Sequence, residues 1–203
     1  MDPTIYADFN RQLVSCLKNK VSEDGVRYSF FNSVVAVGGL TPSQISLEYP
    51  HNAVKGAKID TYIPHFKGYE VVVEFKYDRA IPSGKNSPRP QKAGKLFNDM
   101  RRLLEFKVQG NAIRLFVYLT DDEMADYMRN ARNGLAEFFG LAYGQSLAVT
   151  PTFFNNKSQT FQKSCGSCFD AKVTCVFTNS LPMGHELRVF ELVCSPVATH
   201  PRA

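Results

Sequence analysis

Lys58-Ile59-Asp60-Thr61-Tyr62-Ile63 and, a few residues on, Val71-Val72-Val73-Glu74-Phe75-Lys76-Tyr77 decide how the rest of the chain is read. Both runs have the β-branched and aromatic character of strands, and Pro64-His65-Phe66-Lys67-Gly68 between them suits a hairpin connection. Asp60, Glu74 and Lys76 interrupt the apolar pattern. Residues two apart on a strand project from one face, so Glu74 and Lys76 point together. Pairing of the two strands brings Asp60 near Glu74 across the ladder. Two converging carboxylates form a hard-oxygen site suited to Mg2+, with Mn2+ as a substitute, because Mg2+ keeps several waters and binds through one or two carboxylates. A lysine beside them would orient or deprotonate a metal-bound water, or offset charge on a phosphate. Phosphodiester hydrolysis requires these parts. The same spacing also fits a plain ion pair of Glu74 and Lys76 worth at most about 1 kcal/mol.

Upstream, residues 3–20 read as an amphipathic helix, with Ile5, Phe9, Leu13, Cys16, Leu17 and Val21 near helical spacing after Pro3. Residues 26–37 are aromatic and β-branched and read as a strand closed by Gly38-Gly39. Residues 45–49 form a short extended piece stopped by Pro50. Downstream, prolines, Gly84 and serines mark 80–90 as a loop. A helix over 91–107 follows, its buried stripe made of Ala93, Leu96, Met100, Leu103 and Leu104. Residues 113–119 read as a strand, and Thr120 with Glu123 forms a capping box for a helix over 121–132. A further helical stretch is expected over 135–142, then strands over 147–154, 172–177 and 187–193. The fold class is α/β: a mixed central β-sheet flanked by helices over residues 1–140, with a β-rich extension over 141–203 packed on that core as one domain.

The order of elements and the triplet Asp60, then Glu74-Phe75-Lys76 after 14 residues, resemble the PD-(D/E)XK nuclease superfamily, the restriction-endonuclease-like fold. The resemblance covers roughly residues 1–119. It implies that Asp60 and Glu74 bind a divalent metal, usually Mg2+, and that Lys76 assists water activation. It implies further that Glu48, in Ser46-Leu47-Glu48-Tyr49-Pro50, is an additional acidic ligand. By likeness to the RecB-like nucleases, Gln91 at the start of the next helix would support the site. Ile59 stands where the superfamily usually has proline.

A nucleic-acid face needs basic groups near the site, since phosphate contacts provide most of the non-specific affinity. Arg79, Lys85, Arg89, Lys92 and Lys95 follow Lys76 closely, and Ser83, Asn86 and Ser87 add neutral donors. This local clustering argues for a nucleic-acid partner more strongly than the net charge of +5, from 24 Lys and Arg against 19 Asp and Glu. DNA is the favoured substrate, and a homodimer would suit cutting of both strands. The five cysteines are an odd number, which argues against a complete disulfide framework. Cys165-Gly166-Ser167-Cys168 has zinc-knuckle spacing, with Cys175, His185 and Cys194 after it, but no second pair completes the pattern, so structural zinc is not expected. No apolar run approaches the roughly 18 residues of a membrane span, and Met1-Asp2-Pro3-Thr4 lacks a signal-peptide layout; a cytoplasmic domain with no membrane partner is expected. The sequence therefore reads as a metal-dependent nuclease, most simply a DNA endonuclease of restriction, defence or DNA-processing type. The alternatives are an inactive nuclease-like module that grips nucleic acid and a zinc-stabilised interaction protein.

Overall fold

Residues 1–18, 21–80 and 86–194 are described by a computed structural model. Helix α1 (Pro3–Leu17) begins at Asp2, whose side chain accepts the Thr4 N–H, and buries Ile5, Phe9, Leu13 and Leu17 at helical spacing. The segment expected as a strand over 26–37 is instead helix α2 (Glu23–Ala36). Ser22 caps it by accepting the Gly25 N–H, and Glu23 and Asp24 lie in its first turn, where carboxylates oppose the positive end of the helix dipole. Its buried residues, Val26, Ser29, Phe30, Ser33 and Val34, repeat every three to four positions. The β-branched composition suggested a strand, but the period is that of a helix. Ser29 and Ser33 fit its buried face because their hydroxyls donate to the carbonyls one turn back, at 2.8 and 2.9 Å.

Strands β1 (Ser46–Pro50), β2 (Lys58–Phe66) and β3 (Tyr69–Asp78) follow as an antiparallel run. The expected five-residue connection shrinks to Lys67-Gly68, both at positive φ (49° and 86°), the geometry of a tight two-residue hairpin. Pro64 and His65 lie where the β2–β3 register shifts, a bulge that accommodates the missing N–H of proline. Helix α3 (Arg89–Glu105) then crosses back to β4 (Ala112–Thr120), which pairs parallel with β3. Helix α4 (Asp122–Arg129) is capped by Asp121, whose side chain accepts the Met124 N–H, and not by the expected Thr120 box. The helix expected over 135–142 is the short α5 (Ala136–Phe139).

The strand expected over 147–154 is cut in two. Strand β5 (Ser146–Val149) ends before Pro151, which opens α6 (Pro151–Asn155), and α7 (Gln159–Cys165) was not anticipated. Strands β6 (Ala171–Leu181) and β7 (His185–Cys194) form a hairpin, and β7 pairs antiparallel with β4. The result is an α/β fold around one mixed seven-stranded sheet in the order β1-β2-β3-β4-β7-β6-β5. Residues after 140 extend that same sheet. Helices α1 and α2 cover one face, over Val71, Val73, Phe75 and Leu115. Helices α3 to α7 cover the other, over Val72, Phe116, Tyr118 and Phe190. Among the described residues no helix is long and apolar enough to cross a membrane.

Candidate metal and catalytic site

Since β3 gives Val71, Val73 and Phe75 to the α1/α2 layer, strand alternation turns Val72, Glu74, Lys76 and Asp78 toward α3. Three charged residues in a row therefore lie beneath a helix, and α3 supplies their partners in reverse order because it runs back along β3. Arg102 Nη2 donates to Glu74 at 3.3 Å and to the Lys58 carbonyl at 2.8 Å, and Arg102 Nη1 pairs with Asp99 at 3.2 Å. Asp99 in turn pairs with Lys76 Nζ at 3.4 Å. Glu74, Arg102, Asp99 and Lys76 form a chain of contacts between strand and helix. Further along, the Tyr118 hydroxyl donates to Asp78 at 3.3 Å.

Asp60 enters from β2. The β2–β3 backbone register continues to Thr61 opposite Val73; past it, the Phe75 N–H donates to the Asp60 carboxylate at 2.8 Å. The other Asp60 oxygen accepts from Arg27 Nη2 of α2 at 2.8 Å, while Nη1 of the same guanidinium reaches Glu48 at 2.6 Å. Glu48 also faces Lys58 at 3.6 Å. It sits at φ 52°, a left-handed conformation uncommon away from glycine, which costs about 1–3 kcal/mol and clusters at functional positions. Glu23, in the first turn of α2, accepts the Tyr77 N–H at 2.9 Å.

Too many carboxylates share this space for all of them to ionise without help. Glu74 is 4% exposed, and its pKa is pushed up to about 10, first by burial and then by the neighbouring Asp60. At neutral pH its carboxyl therefore keeps a proton and donates it in a hydrogen bond to Asp60. Burial likewise raises Glu23, Asp78 and Asp99. Burial works against the Lys76 ammonium, but Asp99, Glu23 and Asp78 outweigh it and raise its pKa. Lys76 is thus held as a cation, suited to donating hydrogen bonds and offsetting negative charge and unsuited to taking up a proton.

Of the triplet expected from the sequence, Asp60 touches Glu74, and Lys76 lies two residues on along the same face of β3 as Glu74, turned to Asp99. Among the described residues no set of three or more His, Cys, Asp or Glu is spaced to hold a metal. The donor set is a contacting carboxylate pair, which fits Mg2+ binding through one or two carboxylates with water completing the shell. Glu48 stands outside the pair, behind Arg27. Gln91 lies in the first turn of α3, eight residues before Asp99 and about 12 Å from it along the helix axis, and among the described residues no side-chain hydrogen bond ties it to the triplet.

Arg79, Arg89 and Lys92 each find a different local partner, though Arg89 and Lys92 line one cavity. Arg79 is exposed and lies over the Tyr77 ring at 5.5 Å, and its carbonyl accepts from Lys92 Nζ at 2.8 Å. Arg89 is neutralised by Glu123 at 2.6 Å, Lys95 is exposed on α3, and Lys85 lies outside the described residues. In the tail, Cys165 and Cys175 are buried thiols, and burial pushes Cys165 up to about 11. His185 is engaged by the Tyr77 hydroxyl at 2.7 Å.

No family profile, curated protein or solved structure matches the chain. What the site can do rests on its own geometry. Sequence reading missed Glu23, Arg27, Asp99 and Arg102. The first two were hidden by the strand assigned to 26–37. Asp99 and Arg102 had a usable signal, three apart on the helix that must pack against Glu74 and Lys76.

Proposed function

We propose that the chain is a divalent-metal-dependent nuclease that hydrolyses phosphodiester bonds, with DNA the favoured substrate and Asp60 and Glu74 the residues that hold Mg2+. The observation that carries this reading is the contact of Asp60 with Glu74, a carboxyl only 4% exposed, with Lys76 on the same face of β3 as Glu74. The α-α-β-β-β-α-β order of the first 120 residues supports it, since it contains the helix–strands–helix–strand succession on which the resemblance to PD-(D/E)XK nucleases rests. A bound cation supplies Lewis-acid stabilisation at the phosphate and a more acidic water. Lys76 donates from Nζ to the attacking water or the phosphate and offsets the charge that builds there. Asp99 keeps that ammonium charged and aimed, and Arg102 holds the Glu74 carboxyl in place.

A second reading, a module that grips nucleic acid without cutting it, draws on one observation: Asp60 and Glu74 each already carry an arginine. Cleavage of supercoiled plasmid and of single-stranded DNA, with Mg2+, Mn2+ or EDTA, separates the two. Metal-dependent cutting by the wild type that falls at least about a hundredfold in Lys76→Ala is expected, the scale of removing one transition-state donor. Equal cutting by both proteins removes Lys76 from the chemistry, and binding without cutting selects the second reading.

A further inference from the structure

The arginine on Asp60 does more than balance charge. Arg27 spans Glu48 and Asp60 through its two terminal nitrogens, at 2.6 and 2.8 Å, with its side chain only 12% exposed. It is the one cation that α2 sends to the carboxylate pair, from the face of the sheet opposite Arg102. A divalent ion on Asp60 would share that carboxylate with the guanidinium and repel it at close range. Arg27 Nε is moreover buried and has no hydrogen-bond partner among the described residues. Asp24 lies within 3.7 Å as well, yet three carboxylates leave one donor of the guanidinium unused, and its planar fork matches a phosphate well.

We infer that Arg27 is a stand-in for the divalent cation in the metal-free protein and becomes a ligand for substrate phosphate once the cation takes Asp60. This deepens the nuclease reading and rests on it: one side chain would couple metal loading to phosphate binding. Protein without metal keeps this fork engaged by its own carboxylates. Metal and polyanion then reinforce each other, and such coupling is reciprocal by thermodynamic necessity.

The test is the affinity of the full chain for Mn2+ alone, by calorimetry or electron paramagnetic resonance, for wild type, Arg27→Gln and Arg27→Lys. Circular dichroism melts establish that each is folded. Removal of a competing cation should tighten Mn2+ binding in R27Q on the order of tenfold, a usual coupling strength. R27K, a point charge too short to span both carboxylates, should fall between wild type and R27Q and keeps the test open if R27Q fails to fold. In Ca2+, with cleavage suppressed, both variants should bind a phosphodiester oligonucleotide more weakly than wild type. Mn2+ binding that weakens or stays unchanged in folded variants overturns the inference, because an arginine that merely organises the carboxylates would give that result. Metal-dependent cutting by wild type together with unchanged Mn2+ affinity in the variants would sink this inference alone. A wild type that binds no Mn2+ would sink the nuclease reading with it.

Discussion

Glu74 carries two demands that conflict, a place in a strand buried on both faces and a charge. Its proton reconciles them. Because its folded pKa, about 10, lies above the ordinary value of 4.5, the folded state binds the extra proton between those limits. Stability from this group is therefore full below about pH 4.5 and declines as pH rises toward 10. Glu23, Asp78 and Asp99 shift the same way. Glu74→Gln keeps the shape and the donor while removing the ionisation. In metal-free buffer it should melt at or above the wild-type temperature at pH 8 and show a shallower loss of Tm between pH 5 and pH 9. A variant that is destabilised equally at every pH would show that Glu74 is ionised already, held by Arg102.

The helices decide which sequence signals survive into structure. Asp60, Glu74 and Lys76 were legible because strand alternation and a short hairpin fix both face and partner. Glu23 and Arg27 were not, because 26–37 was judged on composition while Val26, Phe30 and Val34 were repeating every four residues. Helix α7 was missed for a related reason: its seven residues, QTFQKSC, bury only Phe161 and Cys165 and carry too little period to be seen. Its place is nonetheless enforced from α3. A Cβ on Gly94 would meet the Phe161 carbonyl oxygen at 2.4 Å and Ser164 Cβ at 2.7 Å, whereas one on Gly110 meets nothing within 4 Å. Gly94→Ala should cost about 1–3 kcal/mol in chemical denaturation, with Gly110→Ala close to neutral. Equal effects of the two would mean that α3 and α7 do not pack closely.

At the scale of the molecule, the mixed sheet separates two apolar layers and leaves one polar seam between β3 and α3. The α/β class and the order from β1 to β4 were readable from sequence patterning, whereas α2 was expected as a strand. The way the last strands add to the same sheet was not, since nothing local in β7 names β4 as its partner. The basic residues after Lys76 were read as one patch, yet Arg89 takes Glu123 and Lys92 takes a backbone carbonyl. Linear clustering of charge carries no information on which carboxylates the fold brings near. We propose that Asp60 and Glu74, at this seam, together hold a divalent cation. The direct measurement is Mn2+ binding to wild type, Asp60→Asn and Glu74→Gln at pH 6 and pH 8. One specific site is predicted in the wild type, tighter at pH 8 because the cation must displace the Glu74 proton, and lost in both variants. A wild type without a specific site, or a site that survives both substitutions, would contradict it.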